Sequence, residues 1–281
     1  MDQPRPSIAD KRRAFHQLHA SGCFVIPNPW DIGSARWLQG LGFKALASTS
    51  SGMAWSKGHA DNGIPREMAL AHLHDLVAAT DLPINADFES GFAVDAAGIT
   101  ESVRLAVETG VAGLSIEDST GDATNPLFGL DEAVARMRAA RRAIDQAGAD
   151  VLLVGRAEGF LCGRPDLDET LVRLRAYADA GADCLYAPGV RQPEQIRALV
   201  DGVAPRPFNL LVGWPSELTK HDIAALGVRR ISVGGALARS AWGAFMRAAE
   251  GLVQGRFDGF ADAASGQALN GFFGTDRPRR G

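Results

Sequence analysis

The chain has only three cysteines among its 281 residues, Cys23, Cys162 and Cys184. They are isolated and odd in number, which excludes a disulfide framework and a paired metal-ligand spacing. A reducing, cytoplasmic setting fits that usage. Lysine is scarce as well, with Lys11, Lys44, Lys57 and Lys220 the only four. Lys44 opens a candidate strand and the others fall on helices or loops. No lysine therefore stands at an interior strand end, where a Schiff-base aldolase needs one. The histidines, His16, His19, His59, His72, His74 and His221, show no metal spacing. Only His59 lies in a loop near an acid of interest, Asp61. No apolar run is long enough to span a bilayer, and the opening "MDQPRPSIADKRRAF" lacks the apolar core of a signal peptide. A net charge of -4 and a pI of about 5.9 give no reason to expect nucleic acid or an acidic membrane surface as partner. The expectation is a soluble, cytoplasmic protein that handles small molecules.

What is present is a repeated grammar. The segments "WLQGLGFKALASTS", "AVETGVAGLSIED", "YADAGADCLYAPG" and "DIAALGVRRISVGG" each end a helical stretch, turn at a glycine and enter a short apolar run. The glycines are Gly42, Gly110, Gly181 and Gly227, placed where a helix end takes the left-handed conformation. Eight strands are predicted: Cys23–Pro27, Lys44–Ser50, Leu82–Asp87, Gly113–Glu117, Val151–Gly155, Asp183–Ala187, Pro207–Val212 and Arg229–Val233. Most are nearly continuously apolar, as strands covered on both faces must be. Helical patterns such as Leu130–Ala147 and Glu169–Ala180 lie between them. Eight β/α units in about 235 residues predict an α/β fold of the (β/α)8 barrel type. An open doubly wound sheet is the alternative, but no Gly-x-Gly-x-x-Gly follows the first strand. The reading is one barrel domain over 1–281, with its core at about 15–245 and a C-terminal helical segment at about 246–275. The last helical pattern, Phe257–Gly271, is surplus to a barrel and suited to pack on a neighbouring subunit.

In such a barrel the active site lies at the C-terminal ends of the strands. Those ends carry Asp87 and Glu89 after strand three, Glu117 after strand four, Arg156 after strand five, Asn209 in strand seven and Gly234-Gly235 after strand eight. Strand two ends in Thr49-Ser50-Ser51-Gly52. Three carboxylates from two adjacent strands would repel unless protonated or neutralised. A hard divalent cation neutralises them, and magnesium prefers oxygen ligands.

The chain resembles the isocitrate lyase and phosphoenolpyruvate mutase superfamily. The resemblance runs from about Phe24 to Trp242 and rests on "PNPWDIGSA", "STSSGMA", "NADFESGF", "GLSIEDS", "VGRAEGF" and "RRISVGG". It implies a magnesium-dependent enzyme, with manganese as substitute, acting on 2-oxo acids or compounds that break down to them. It implies that Asp87, Glu89 and Glu117 hold the ion directly or through water, with Asp61 close by. It places the substrate carboxylate on Ser51 and the backbone amides of Gly52 and Met53, and brings Arg156 to a substrate oxygen. Asn209 is counted with the substrate-binding residues, and Arg156, Asp61 and Glu117 with the catalytic ones. It also implies a homo-oligomer, dimer or tetramer, that exchanges the last barrel helix between subunits.

The chain departs from the lyases at one informative place. Their Lys-Cys-Gly-His run is replaced by "STGDATNPLFGLDEA", Ser119 to Ala133, which has no cysteine, lysine or histidine. The mutases and phosphonopyruvate hydrolases keep a lysine and an asparagine there, and this chain retains at most Asn125. Cys162 follows strand five and is read as a loop cysteine. Glu89 stands where aspartate is more usual, and Arg156-Ala157-Glu158 replaces Arg-Thr-Asp. Superfamily members without the lyase cysteine include oxaloacetate decarboxylases, so oxaloacetate decarboxylation leads. A 2-methylisocitrate lyase-like or phosphonopyruvate-type activity and a non-catalytic 2-oxo acid binder are the alternatives. A phosphate cradle at Gly234-Gly235 is a further one, against tight packing.

Overall fold

A computed structural model describes residues 5–275; the expected domain also includes 1–4 and 276–281, which lie outside the described residues. The chain begins α1 (Ile8–Ala20), β1 (Phe24–Ile26), α2 (Ile32–Gly40), β2 (Leu46–Ala47), α3 (Ser50–Ser56) and α4 (Arg66–Ala79). It continues β3 (Ile84–Asp87), α5 (Ala96–Glu108), β4 (Gly113–Glu117), α6 (Leu130–Gln146), β5 (Leu152–Arg156) and α7 (Leu167–Asp179). Then follow β6 (Cys184–Tyr186), α8 (Pro193–Val203), β7 (Phe208–Leu211), α9 (Lys220–Ala225), β8 (Arg230–Ser232), α10 (Ala236–Val253) and α11 (Gly266–Thr275). Seven of the eight strands fall inside their predicted spans, and β5 runs one residue past its own, to Arg156.

All pairings are parallel, in the order β1-β8-β7-β6-β5-β4-β3-β2. The Ala47 N–H donates to the Pro27 carbonyl at 3.1 Å and closes the remaining seam between β1 and β2. Asn28 ties the same seam at the rim. Its Oδ1 accepts from the Val233 and Gly234 N–H groups, both at 2.9 Å, and its Nδ2 donates to the Ser48 carbonyl at 2.9 Å. The molecule is a (β/α)8 barrel. The four turn glycines have φ of 87° to 104°, the left-handed region where a side chain is costly.

The N-terminal mouth is plugged. Phe15 of α1 is fully buried against Gly113, where an added Cβ would lie 2.6 Å from its ring. The Lys11 ammonium donates to the Val77 and Thr80 carbonyls at 3.0 and 2.6 Å. Burial pulls its pKa down to about 8. The opening left to solvent is the C-terminal rim.

The C-terminal segment differs from expectation. Instead of one helix over 257–271, a 3-10 turn (Asp258–Phe260) precedes α11. Gly259 packs so closely on α10 that a Cβ there would lie 2.8 Å from the Ala248 Cα, and Ser265 Oγ accepts the Ala268 N–H at 3.1 Å to start α11 late. Within this single chain α11 lies on α2. Phe272 stacks on Trp37 with centroids 4.6 Å apart, in room left by Gly40. Among the described residues no helix is long and apolar enough to cross a membrane.

Candidate active site

The register of the barrel brings charged groups from β3, β4 and β5 together. Glu117 is the direct cross-strand partner of Arg156, and Asp87 stands opposite Ser115 one strand further on. Arg156 is the hub. Its Nη1 donates to Asp87 Oδ1 at 2.6 Å, its Nε to Glu158 Oε1 at 2.9 Å, and its Nη2 lies 3.2 Å from Glu117 Oε2. The guanidinium sits over the Tyr186 ring, 5.0 Å from its centroid. Arg156 thus combines an ion-pair role with a place in the cavity wall.

Asp87 is held on its other oxygen. Oδ2 accepts from both the Ser50 N–H and the Ser50 hydroxyl at 2.9 Å. Ser48 fixes the backbone, its hydroxyl accepting the Asp87 N–H at 2.8 Å. Glu158 is anchored from behind by Asp118, whose Oδ1 accepts the Glu158 N–H at 2.8 Å. Asp118 is itself clamped by Arg173 at 3.1 Å and the Tyr177 hydroxyl at 2.6 Å.

Glu89 is strained and unsatisfied. Its φ is 47°, rare for a residue with a side chain. The Glu89 carbonyl accepts the Glu117 N–H at 3.0 Å, which links the two acids through the backbone. Its Oε1 is buried without a hydrogen-bond partner. Burial, then the charges of Asp87 and Asp61, push its pKa up to about 8. Burial also holds Glu117 well above the usual carboxylate range, against the opposing pull of Arg156. Asp61, from the loop after α3, is raised by desolvation and then by Asp87.

At the C-terminal rim, lined by residues in or just after all eight strands, opens a cavity of about 160 Å³, small for a ligand site. Asp61, Asp87, Arg156 and Ser51 line it. Glu89 and Glu117 stand behind that lining. Gly52, Met53 and Asn209, expected among the substrate-binding residues, lie off the cavity lining. The Gly52 and Met53 amides are taken. The Gly52 N–H goes to Thr49 Oγ1 at 3.3 Å and the Met53 N–H to the Thr49 carbonyl at 3.0 Å, because Thr49 caps α3. Asn209 is fully buried and also off the cavity lining; its amide binds Ser232 Oγ at 2.9 Å and Arg230 Nε at 2.7 Å. No residue of the 119–133 loop reaches the cavity; Ser119 pairs with Leu127 in a small antiparallel bridge instead. Gly235 serves packing: a Cβ would lie 2.9 Å from Ser51 Oγ. Sequence reasoning missed Ser50, Ser48 and Arg230, although "STSSGMA" and "RRISVGG" contain them.

The donor set fits a hard divalent cation. Five carboxylates, Asp61, Asp87, Glu89, Glu117 and Glu158, surround one arginine, and one carboxylate oxygen is buried without a partner. Among the described residues no three acidic, histidine or cysteine side chains converge as a direct cage. Magnesium does not require one, since it binds through one or two carboxylates and keeps several waters.

The comparisons with known proteins agree with the fold. The family model "Phosphoenolpyruvate phosphomutase" matches residues 15–253. A solved structure from Burkholderia cenocepacia, provisionally described as a lyase/mutase, is 47% identical with a TM-score of 0.91, covering 95% of this chain and 97% of that one. An oxaloacetate decarboxylase of Paraburkholderia xenovorans is 30% identical over 79% of this chain and 74% of its own length. The structure of a 2,3-dimethylmalate lyase, described as a PEP mutase/isocitrate lyase superfamily member, is 26% identical with a TM-score of 0.83, covering 97% of this chain and 96% of that one. With its fold, its rim of acids around Arg156 and a family match over most of its length, the chain belongs to the phosphoenolpyruvate phosphomutase family of the PEP mutase/isocitrate lyase superfamily.

Proposed function

We propose that this protein is a magnesium-dependent carbon–carbon lyase acting on a small 2-oxo acid, with oxaloacetate decarboxylation as the leading reaction. The observation that carries the reading is the excess of carboxylates around Arg156 at the mouth of a small cavity, with no side-chain acid supplied by the 119–133 loop. Asp87 and Glu117 would hold the ion, with Asp61 and Glu89 engaged through water. Magnesium, when bound, supplies Lewis-acid stabilisation of negative charge on the 2-oxo oxygen. Asp87 is oriented for its part by Ser50 and Ser48. Arg156 presents fixed donors to the oxygen on which charge develops. Ser51, on the cavity wall, offers a hydroxyl to the substrate carboxylate. As the C–C bond breaks, carbon dioxide leaves and its bonding electrons pass into the ketone, giving the enolate of pyruvate. The enolate carbon then takes a proton from water, so no loop acid is required.

The relatives support this class of chemistry through their names, an oxaloacetate decarboxylase and a 2,3-dimethylmalate lyase. The test is a panel of oxaloacetate, 2-methylisocitrate, isocitrate and phosphonopyruvate, each with and without magnesium. Oxaloacetate is expected to turn over fastest, and only with the metal. Thermal stabilisation by oxaloacetate without turnover would favour a binding protein instead.

The same reading includes a homo-oligomer that exchanges its C-terminal helical segment. Its support is the exposed apolar side chains of α10 and the following turn, among them Trp242, Phe245, Met246 and Phe257. Light scattering that returned a monomer mass would count against it.

A further inference from the structure

Arg230 opens β8 with its side chain inside the barrel and is 2% exposed. It is one of the residues lining the cavity, together with Ser115, Tyr186 and Ser232. Its neighbour Arg229 points the other way, to the Gly22 carbonyl. The two arginines of the cavity are treated very differently. Arg156 faces three carboxylates. Arg230 meets only neutral amide oxygens: Nε donates to Asn209 Oδ1 at 2.7 Å and Nη1 to Asn85 Oδ1 at 3.2 Å. Its Nη2 makes no hydrogen bond, and among the described residues no carboxylate lies within ion-pair distance of it.

That arrangement is expensive as core packing. A buried guanidinium stays charged, and without a counter-ion it loses several kcal/mol of solvation. The frame that holds it is nonetheless built, since Asn209 is itself fixed by its bond to Ser232 Oγ at 2.9 Å. The cavity therefore has two unlike ends. Asp61 and Asp87 form an acidic end, and Arg230 forms a cationic end with a free donor.

We infer that Arg230 is a specificity-determining residue that binds a second carboxylate of the substrate, so the substrates of this site are small dicarboxylates. The inference rests on the proposed function, which places the 2-oxo acid group at the acidic end. It adds the residue that distinguishes a dianion from a monoanion. In a decarboxylation, negative charge leaves that second carboxylate as the bond breaks. The grip of Arg230 then acts on the bound substrate more than on the transition state. Loss of Arg230 should raise KM without lowering kcat.

The test uses two probes that do not react and differ by one carboxylate, malate and lactate, with oxalate as a control for the acidic end. Binding is measured calorimetrically with magnesium present, on wild type, Arg230→Gln and Arg230→Lys. Wild type is expected to prefer malate over lactate by about 10–100-fold, the range of a charge-assisted hydrogen bond. Arg230→Gln should bring that ratio near one while leaving oxalate affinity unchanged. Arg230→Lys keeps the charge without the fork and should retain part of the preference. If Arg230→Gln fails to fold, the partial loss in Arg230→Lys carries the test. The metal-free Arg230→Gln protein should melt no lower than wild type, because it buries no unpaired charge. A lower melting temperature with an unchanged malate-to-lactate ratio would mean a structural role and overturn the inference, as would an unchanged ratio alone. Wild type that bound neither oxalate nor malate would overturn the proposed function, and this inference with it. Oxalate binding with an unchanged ratio would overturn this inference alone.

Discussion

Asp87→Ala is expected to abolish magnesium-dependent turnover while leaving the barrel folded. The Asp87 carboxylate ends β3 on the cavity wall, with one oxygen on Arg156 and the other on Ser50. Among the described residues it is the one carboxylate on the cavity wall that pairs directly with Arg156. Its loss removes a proposed direct ligand and should exceed the roughly 10–100-fold typical of losing an outer-shell partner. The fold has little to lose at this point. Arg156 retains Glu117 and Glu158, and the like charge that helps push Glu89 and Glu117 upward is gone. Calorimetric magnesium titration and thermal melting check both halves. An unchanged magnesium affinity in Asp87→Ala would refute the assignment.

Arg156→Lys should reduce the rate by roughly 10²–10³, the range for removing one preorganised donor to a developing oxyanion. A lysine keeps the charge but is a single point on a flexible stem. It cannot reach Asp87, Glu117 and Glu158 together, as the guanidinium does at 2.6 to 3.2 Å. Arg156→Ala is the less informative change. It leaves buried Glu117 and Glu158 without a counter-charge, a situation that costs about 3–5 kcal/mol. Urea unfolding separates the two effects: Arg156→Lys should lose much less stability than Arg156→Ala while still losing rate. Wild-type kcat in Arg156→Lys would reduce Arg156 to a structural ion-pair hub.

The barrel was legible because each β/α unit repeats the same local physics. A glycine with positive φ follows a helix, as at Gly42, Gly110, Gly181 and Gly227, and an apolar strand follows the glycine. Strand-end position then identified Asp87, Glu117 and Arg156 as neighbours, since parallel strands place their C-terminal ends on one rim. What was not legible depended on direction and competition. Whether the Gly52 and Met53 amides are free depends on the cap, and Thr49 claims both. Asn209 lies in the expected strand, but its side chain supports Arg230 rather than facing the cavity. Arg230 itself was hidden in a two-arginine pair, of which strand alternation turns only one inward. The late start of α11 follows from a tertiary contact, Gly259 against Ala248, that no local pattern encodes.

The central claim is that the metal site is intact while the loop no longer serves a lyase that needs a side-chain acid. One measurement bears on it most directly: initial rates with oxaloacetate and with 2-methylisocitrate on one metal-stripped preparation, titrated with magnesium and corrected for the reaction of magnesium alone. The account predicts saturable, magnesium-dependent formation of pyruvate from oxaloacetate, faster than any cleavage of 2-methylisocitrate. Faster cleavage of 2-methylisocitrate would contradict the reading of the 119–133 loop, and oxaloacetate turnover that ignored magnesium would contradict the reading of Asp87 and Glu117.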